Sequence, residues 1–161
     1  MNVRLEPITV ENWKDCIALE IAPDQQHFVP SNLYSIAETQ FYPEAKSRAI
    51  YNEDNQLVGY ALFGREAQTQ KWKIFRMMID KAHQHKGYGR AAMQKIMKLI
   101  SQEPEGNEIL ISYQEDNYVA RNLYAKLGFI EQTTDHHGKV TALLDLSKNN
   151  CSPSRSLRSS R

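Results

Sequence analysis

The spacing of apolar residues changes period several times along the chain. Residues 3–8 (Val-Arg-Leu-Glu-Pro-Ile) alternate apolar and polar, which is the period of a strand with one covered face. Thr9 follows as an N-cap, Glu11 sits in the first turn, and Trp13, Ile17 and Leu19 share a helical face ending near Glu20. Pro23 and Pro30 frame a loop over 21–30. A second helix is expected after Ser31 or Asn32, with Leu33, Ile36, Ala37 and Phe41 as its stripe and Pro43 as its stop. Two strands, 48–53 and 56–66, are joined by the turn-forming pair Asp54-Asn55. A third run, 72–79, is apolar and aromatic apart from Lys73 and Arg76. A polar loop with glycines covers 80–89, and Ala91, Ala92, Ile96, Met97, Leu99 and Ile100 then mark a strong helix stopped near Pro104. A short strand at 108–113, a helix at 117–127 ended by Gly128, and strands at 128–134 and 139–146 across His137-Gly138 complete the pattern.

The order β-α-α-β-β-β-α-β-α-β-β predicts one α/β domain over 1–146, a twisted mixed sheet of about seven strands flanked by about four helices. Residues 147–161, rich in Ser, Arg, Asn and Lys, read as a disordered polar tail outside the domain, with the composition of an appended extension.

Composition narrows the function. The chain has 161 residues, 41% of them hydrophobic and 24% charged, which describes a globular protein with one core. A net charge of +1 offers no basic excess for nucleic acid. Residues 1–20 carry charge throughout, unlike a secretory leader, and no run approaches the ~20 apolar residues of a membrane span. Cys16 lies at helical spacing among apolar neighbours and Cys151 lies in the tail, so no disulfide framework is expected and a reducing, cytoplasmic setting is. His27, His83/His85 and His136/His137 lack cysteine or acidic partners at ligand spacing, so no metal site is expected.

The chemistry concentrates in Gln84-His85-Lys86-Gly87-Tyr88-Gly89-Arg90, between a strand and a helix. Two glycines two apart let the backbone turn so that successive N–H groups face one concavity, and the helix N-terminus adds partial positive charge. That combination suits a phosphate or pyrophosphate. The segment has neither the Gly-Lys-Ser/Thr of a P-loop nor the third glycine of a dinucleotide fingerprint.

Downstream come Asn117, Ala120, Leu123-Tyr124 and Gly128-Phe129. Gln-x-x-Gly-x-Gly after a strand, followed by Asn-x-x-Ala-x-x-Leu-Tyr-x-x-x-Gly-Phe, resembles the two main motifs of the GCN5-related N-acetyltransferase (GNAT) superfamily, and the resemblance covers 3–146. Residues 24–32 and 74–80 further resemble bacterial spermine/spermidine acetyltransferases associated with multidrug-efflux transporters.

The resemblance implies acetyl-CoA as co-substrate. Met77, Met78 and Ile79 would end the central strand at a bulge and pair with the pantetheine arm. The N–H groups of 85–90 would take the pyrophosphate behind Gln84, with Lys86 and Arg90 adding charge. Asn117, Ala120 and Lys126 would contact the cofactor, and Tyr124 would give a proton to the departing thiolate. Animal polyamine acetyltransferases place a glutamate on the central strand as base, and here that position is Phe75. Candidates for holding a polyamine acceptor are Glu20, Asp24, Glu38 and Glu44, with Phe75 beside them. Direct transfer is expected, since neither motif holds a cysteine nucleophile. Other readings are acetylation of a protein N-terminus or cationic antibiotic, or an acetyl-CoA-binding module without catalysis. Members of the family often pair through sheet edges, which makes a homodimer an expectation.

Overall fold

The computed structural model describes residues 1–26 and 30–150. His27, and the stretch around it that carries the closer resemblance, therefore fall partly outside the described residues, as does Cys151. Seven strands form one sheet in the order β1-β2-β3-β4-β5-β7-β6. They are β1 (Arg4–Pro7), β2 (Lys46–Tyr51), β3 (Leu57–Arg65), β4 (Trp72–Ile79), β5 (Glu108–Gln114), β6 (Ile130–Thr134) and β7 (Lys139–Asp145). The α-helices are α1 (Trp13–Ala18), α2 (Asn32–Glu38), α3 (Tyr88–Ser101) and α4 (Tyr118–Lys126). The expected α/β architecture is the observed one. Only β4 and β5 run parallel, because α3 crosses between them.

The larger core packs α3 and α4 against the sheet. Ala92, Met93, Ile96 and Ile100 recur at helical spacing, and each is 0% exposed. Truncating Ile96 to alanine there costs about 2–5 kcal/mol. A smaller cluster of Tyr60, Leu62 and Met78 takes Leu19, Ile21 and Ile36 from the α1–α2 side.

One irregularity organises the molecule. Between β3 and β4 the register runs Leu62↔Arg76 and then Phe63↔Ile74, so Phe75 is an extra residue in β4. Strict alternation from Trp72 and Ile74 would carry Arg76 and Met78 into the α3 core. The bulge reverses the parity: Met77 and Ile79 pack there, and Met78 joins the smaller cluster. The bulge thus lies just before Met77–Ile79 rather than at them.

Three local expectations need correction. Thr9 does not cap α1: the chain first turns through Asn12, whose Oδ1 accepts from the Thr9 N–H at 2.8 Å and whose amide donates to Pro7 O at 3.0 Å. Helix α2 begins as expected, with Ser31 Oγ accepting from the Tyr34 N–H at 3.1 Å. Of its supposed stripe only Ile36 packs inward, against the smaller cluster, whereas Ala37 is exposed and Leu33 and Phe41 are 55% and 80% exposed. The helix stops at Glu38, before Phe41, and its rotation is set by buried Asn32. The Asn32 amide donates to Cys16 O at 2.8 Å and reaches Met78 Sδ at 3.5 Å, tying both helices to β4. Finally, Leu146–Asn150 form a 3₁₀ turn, with Leu146 N–H donating to Asn107 O at 2.7 Å, so the start of the supposed tail is ordered.

Candidate active site

The site exists because two strands part. β4 and β5 pair only over Trp72–Ile74 and Ile109–Ile111. Beyond that β5 continues to Gln114 against β7 alone, while Met77–Ile79 stay paired with β3. The β5-facing edge of Met77–Ile79 is left open, and a cleft and a gap flank the split.

The cleft is lined by Met77, Met78, Ile79, Gln84, His85, Gly87, Tyr88, Gly89, Asn117, Ala120 and Tyr124. Its rim is a loop forced into shape by local backbone. His85 (φ 61°) and Gly87 (φ 87°) both adopt the left-handed region, which glycine enters at no steric cost. The Gln84 side-chain amide holds the loop, donating to Ile79 O at 2.9 Å and to Gln25 Oε1 at 2.8 Å. Among the described residues, no main-chain N–H from Gln84 to Arg90 has a protein acceptor, whereas Ala91 N–H already bonds Gly87 O at 3.1 Å. A run of unpaired donors opening a 14-residue helix is a site for an anion.

Gly89 reports what the cleft is for. The nearest atoms a Cβ added there would meet belong to the Ile79, Leu123 and Met77 side chains, at 3.7–3.8 Å, which is ordinary contact. Folding therefore does not require glycine at this position, and a glycine inside a helix costs about 0.5–1 kcal/mol relative to alanine. What a side chain would occupy is the floor of the cleft.

The gap opens on the other side of the split and shares Met77, Asn117, Ala120 and Tyr124 with the cleft. Tyr124 thus stands where the two meet. It is 8% exposed, packed on Tyr113 (ring centroids 5.4 Å) and Phe129 (5.9 Å, edge-on). Its hydroxyl has no hydrogen-bond partner among the described residues. Yet no fully buried side-chain oxygen or nitrogen among them is left unpaired, so this oxygen is reached from the open space. Burial, reinforced by Tyr113, pushes its pKa up to about 12, which keeps the phenol protonated at neutral pH. The cleft thus joins a loop of unpaired N–H donors and an open strand edge to a free phenol where it meets the gap.

The sequence model of the acetyltransferase (GNAT) family matches residues 10–129. The chain belongs to the GNAT acetyltransferase family. It is an N-acetyltransferase of that family. Among curated relatives, it is 23% identical over 135 residues to a probable spermine N(1)-acetyltransferase of Bacillus subtilis subsp. natto (strain BEST195), over 80% of this chain and 88% of that protein. A spermine/spermidine N(1)-acetyltransferase of Bacillus subtilis (strain 168) is 22% identical over the same shares. The fold is similar to that of spermidine N-acetyltransferase from Vibrio cholerae in complex with CoA and spermine, with TM-score 0.72 and 13% identity over 91% of this chain and 97% of that one. It is also similar to PaiA N-acetyltransferase from Thermoplasma acidophilum in complex with coenzyme A, with TM-score 0.67 and 16% identity over 90% and 99%.

In this GNAT enzyme the remaining candidate residues are placed less favourably. Lys86, Arg90 and Lys126 are exposed and do not line the cleft, and the Lys86 ammonium donates to Ala82 O at 3.1 Å. Asn117 lines both spaces but also caps α4, its Oδ1 accepting from Ala120 N–H at 3.3 Å. Phe75, the bulged residue, lines the gap and a second hollow beside α2. The four acids are not gathered around one point: Glu20 pairs with Lys81, Glu38 pairs with Arg76, and Asp24 and Glu44 are exposed. Sequence reasoning missed Leu123 and Val119 as cleft walls, although Leu123 stood in the quoted motif. It also missed Glu66, which bonds Lys73 Nζ at 3.0 Å and, with Glu38, lines the hollow on the far side of Phe75. Only contact across the sheet reveals that pair.

Proposed function

We propose that the chain transfers an acetyl group from acetyl-CoA to a primary amine of a polyamine such as spermidine or spermine, by direct attack with both substrates bound. The observation that carries this reading is the meeting of cleft and gap at a free phenol. The unpaired N–H groups of Gln84–Arg90 donate to the pyrophosphate, and the open edge of Met77–Ile79 bonds the pantetheine arm. The amine enters through the gap. As it attacks the thioester, the C–S bond breaks and the Tyr124 hydroxyl donates to the departing thiolate, whose ordinary pKa resembles that of cysteine, ~8.5. A C–N bond replaces the C–S bond and the protons balance: the ammonium gives one to solvent before attack, the phenol's proton stays on the thiol, and the proton lost by the new amide nitrogen restores the phenol.

The relatives' activities support the polyamine reading, and the carboxylates Glu38 and Glu66 beside Phe75 are the groups to pair with distal ammoniums. A second reading rests on one observation: the gap lining includes Lys73, Arg76 and Lys139 and no carboxylate among the described residues. A polyamine nitrogen has a lysine-like pKa of ~10.4 and needs a base, whereas a peptide α-amine at ~7.7–8.0 is largely neutral near pH 8. Such an amine belongs to a protein N-terminus. A cytoplasmic setting fits the buried free thiol of Cys16, and self-assembly through the exposed edge strand β6 fits the sheet order.

An amine panel followed by release of free CoA thiol tests the proposal. Spermidine and spermine are expected to turn over faster than a short peptide with a free N-terminus or an aminoglycoside. Activity confined to the peptide would overturn the polyamine assignment in favour of the second reading.

A further inference from the structure

Among the described residues Tyr124 has no hydrogen-bond partner for its hydroxyl, so its ring and hydroxyl are aimed by what packs against them. One of its two aromatic neighbours is Tyr113, near the end of β5. At that point β5 has already lost β4 as a partner and pairs with β7 alone, Tyr113 opposite Val140. The strand that braces Tyr124 is therefore itself unsupported on the side of the gap.

A second tie makes up for this. The Tyr113 hydroxyl donates to Glu131 Oε1 at 2.9 Å. Glu131, on β6, is gripped by both arms of Arg121, with Nε to Oε1 at 2.6 Å and the terminal nitrogen to Oε2 at 2.9 Å. Arg121 lies on α4, three residues before Tyr124, so the chain of contacts closes a ring through α4, β6 and β5. The Arg121 and Glu131 side chains are 41% and 38% exposed, and an ion pair that open contributes about 0–1 kcal/mol to stability. Its planar, two-pronged geometry nevertheless fixes direction.

We propose that Arg121, Glu131 and Tyr113 form a positioning relay that aims the Tyr124 phenol at the reacting sulfur, a role that rests on Tyr124 being the proton donor. Arg121 orients Glu131, Glu131 fixes the Tyr113 ring, and that ring sets the face against which Tyr124 lies. None of the three touches the acetyl group. Removing the Tyr113 hydroxyl keeps the aromatic packing and frees the ring to rock, so the loss appears in turnover and not in cofactor binding.

A double-mutant cycle in the CoA-thiol release assay tests this, using full-length protein and conditions where chemistry limits the rate. Tyr113→Phe is expected to lower kcat about 3- to 10-fold with KM for acetyl-CoA unchanged, and to have no further effect in a Tyr124→Phe background. Glu131→Leu repeats the measurement should Tyr113→Phe fold poorly, and it is expected to match it. Wild-type kcat in Tyr113→Phe and Glu131→Leu, with Tyr124→Phe slowed, overturns the relay and leaves the proton donor in place. Equal losses with and without the Tyr124 hydroxyl also overturn it, since packing alone then explains them. Full turnover in Tyr124→Phe removes the donor itself, and the relay with it.

Discussion

The cleft and the gap lie back to back on one split in the sheet, and they are made in different ways. The cleft is built from main chain: free N–H groups of Gln84–Arg90, the open edge of Met77–Ile79, and a glycine whose missing side chain is the floor. The gap and the hollow beyond Phe75 are built from side chains, and four of their charges are engaged with each other, Lys73 with Glu66 and Arg76 with Glu38. A backbone site binds one rigid anionic partner wherever the fold forms. A side-chain site can be rewritten residue by residue, so the shape of the cleft is tied to the fold while the lining of the gap is free to vary.

The strongest test strikes the point shared by both spaces. Tyr124→Phe keeps the ring against Tyr113 and Phe129 and removes only the donor, so kcat should fall about 10²-fold, the low end for general acid catalysis, with acetyl-CoA affinity unchanged. A folded variant with wild-type turnover would pass the role to solvent. Next, Gly89→Val should weaken acetyl-CoA binding by about tenfold or more, ~1.4 kcal/mol, while the unfolding midpoint stays near that of the parent. The preserved midpoint follows from the ordinary contacts a Cβ finds there. Calorimetric titration and thermal unfolding together decide it, and intact affinity would move the pyrophosphate elsewhere.

On the acceptor side, Glu38→Gln should raise the KM for spermidine a few-fold and leave that for acetyl-CoA alone. A change in thermal stability without a change in KM would make the Arg76 pair purely structural. A last effect belongs to neither half alone. Tyr113 and Tyr124 are pushed up to about 12 and Cys16 to about 11, each chiefly by burial. Their unfolded values lie lower, near 10 for tyrosine and 9.0 for cysteine, so the folded state holds these protons more tightly. Their contribution to stability is complete below about pH 9 and drains away as pH rises toward 12. Chemical denaturation across that range should show a flat stability up to pH 9 and a decline above it.

How much of this was legible in the chain depends on how local each feature is. β4 was readable to the residue, since its apolar run is bounded by polar loops, and the Asp54-Asn55 turn was readable because Asn55 tolerates its φ of 61°. The Gln84–Arg90 loop and the Asn117–Phe129 helix were readable because glycine, cap and helix act within a few residues. By themselves, then, the residues determined the order of elements, the glycine-turned loop before α3 and the place of Tyr124 on α4. The bulge at Phe75 was not placed by the chain alone: Lys73 and Arg76 fall out of period two within an apolar run, but only pairing with β3 shows which residue is extra and that Arg76 is turned out of the core. The rotation of α2 was misread for a related reason, because a buried Asn32 amide bonded to Cys16 O and near Met78 outweighs an apolar stripe. The ion pairs Lys73–Glu66 and Arg76–Glu38, and the Tyr113–Glu131–Arg121 ring, join residues from different elements. Those partners meet only after the sheet has set its register, so the packing around Tyr124 and the pairing of charges beside Phe75 were decided by tertiary structure alone.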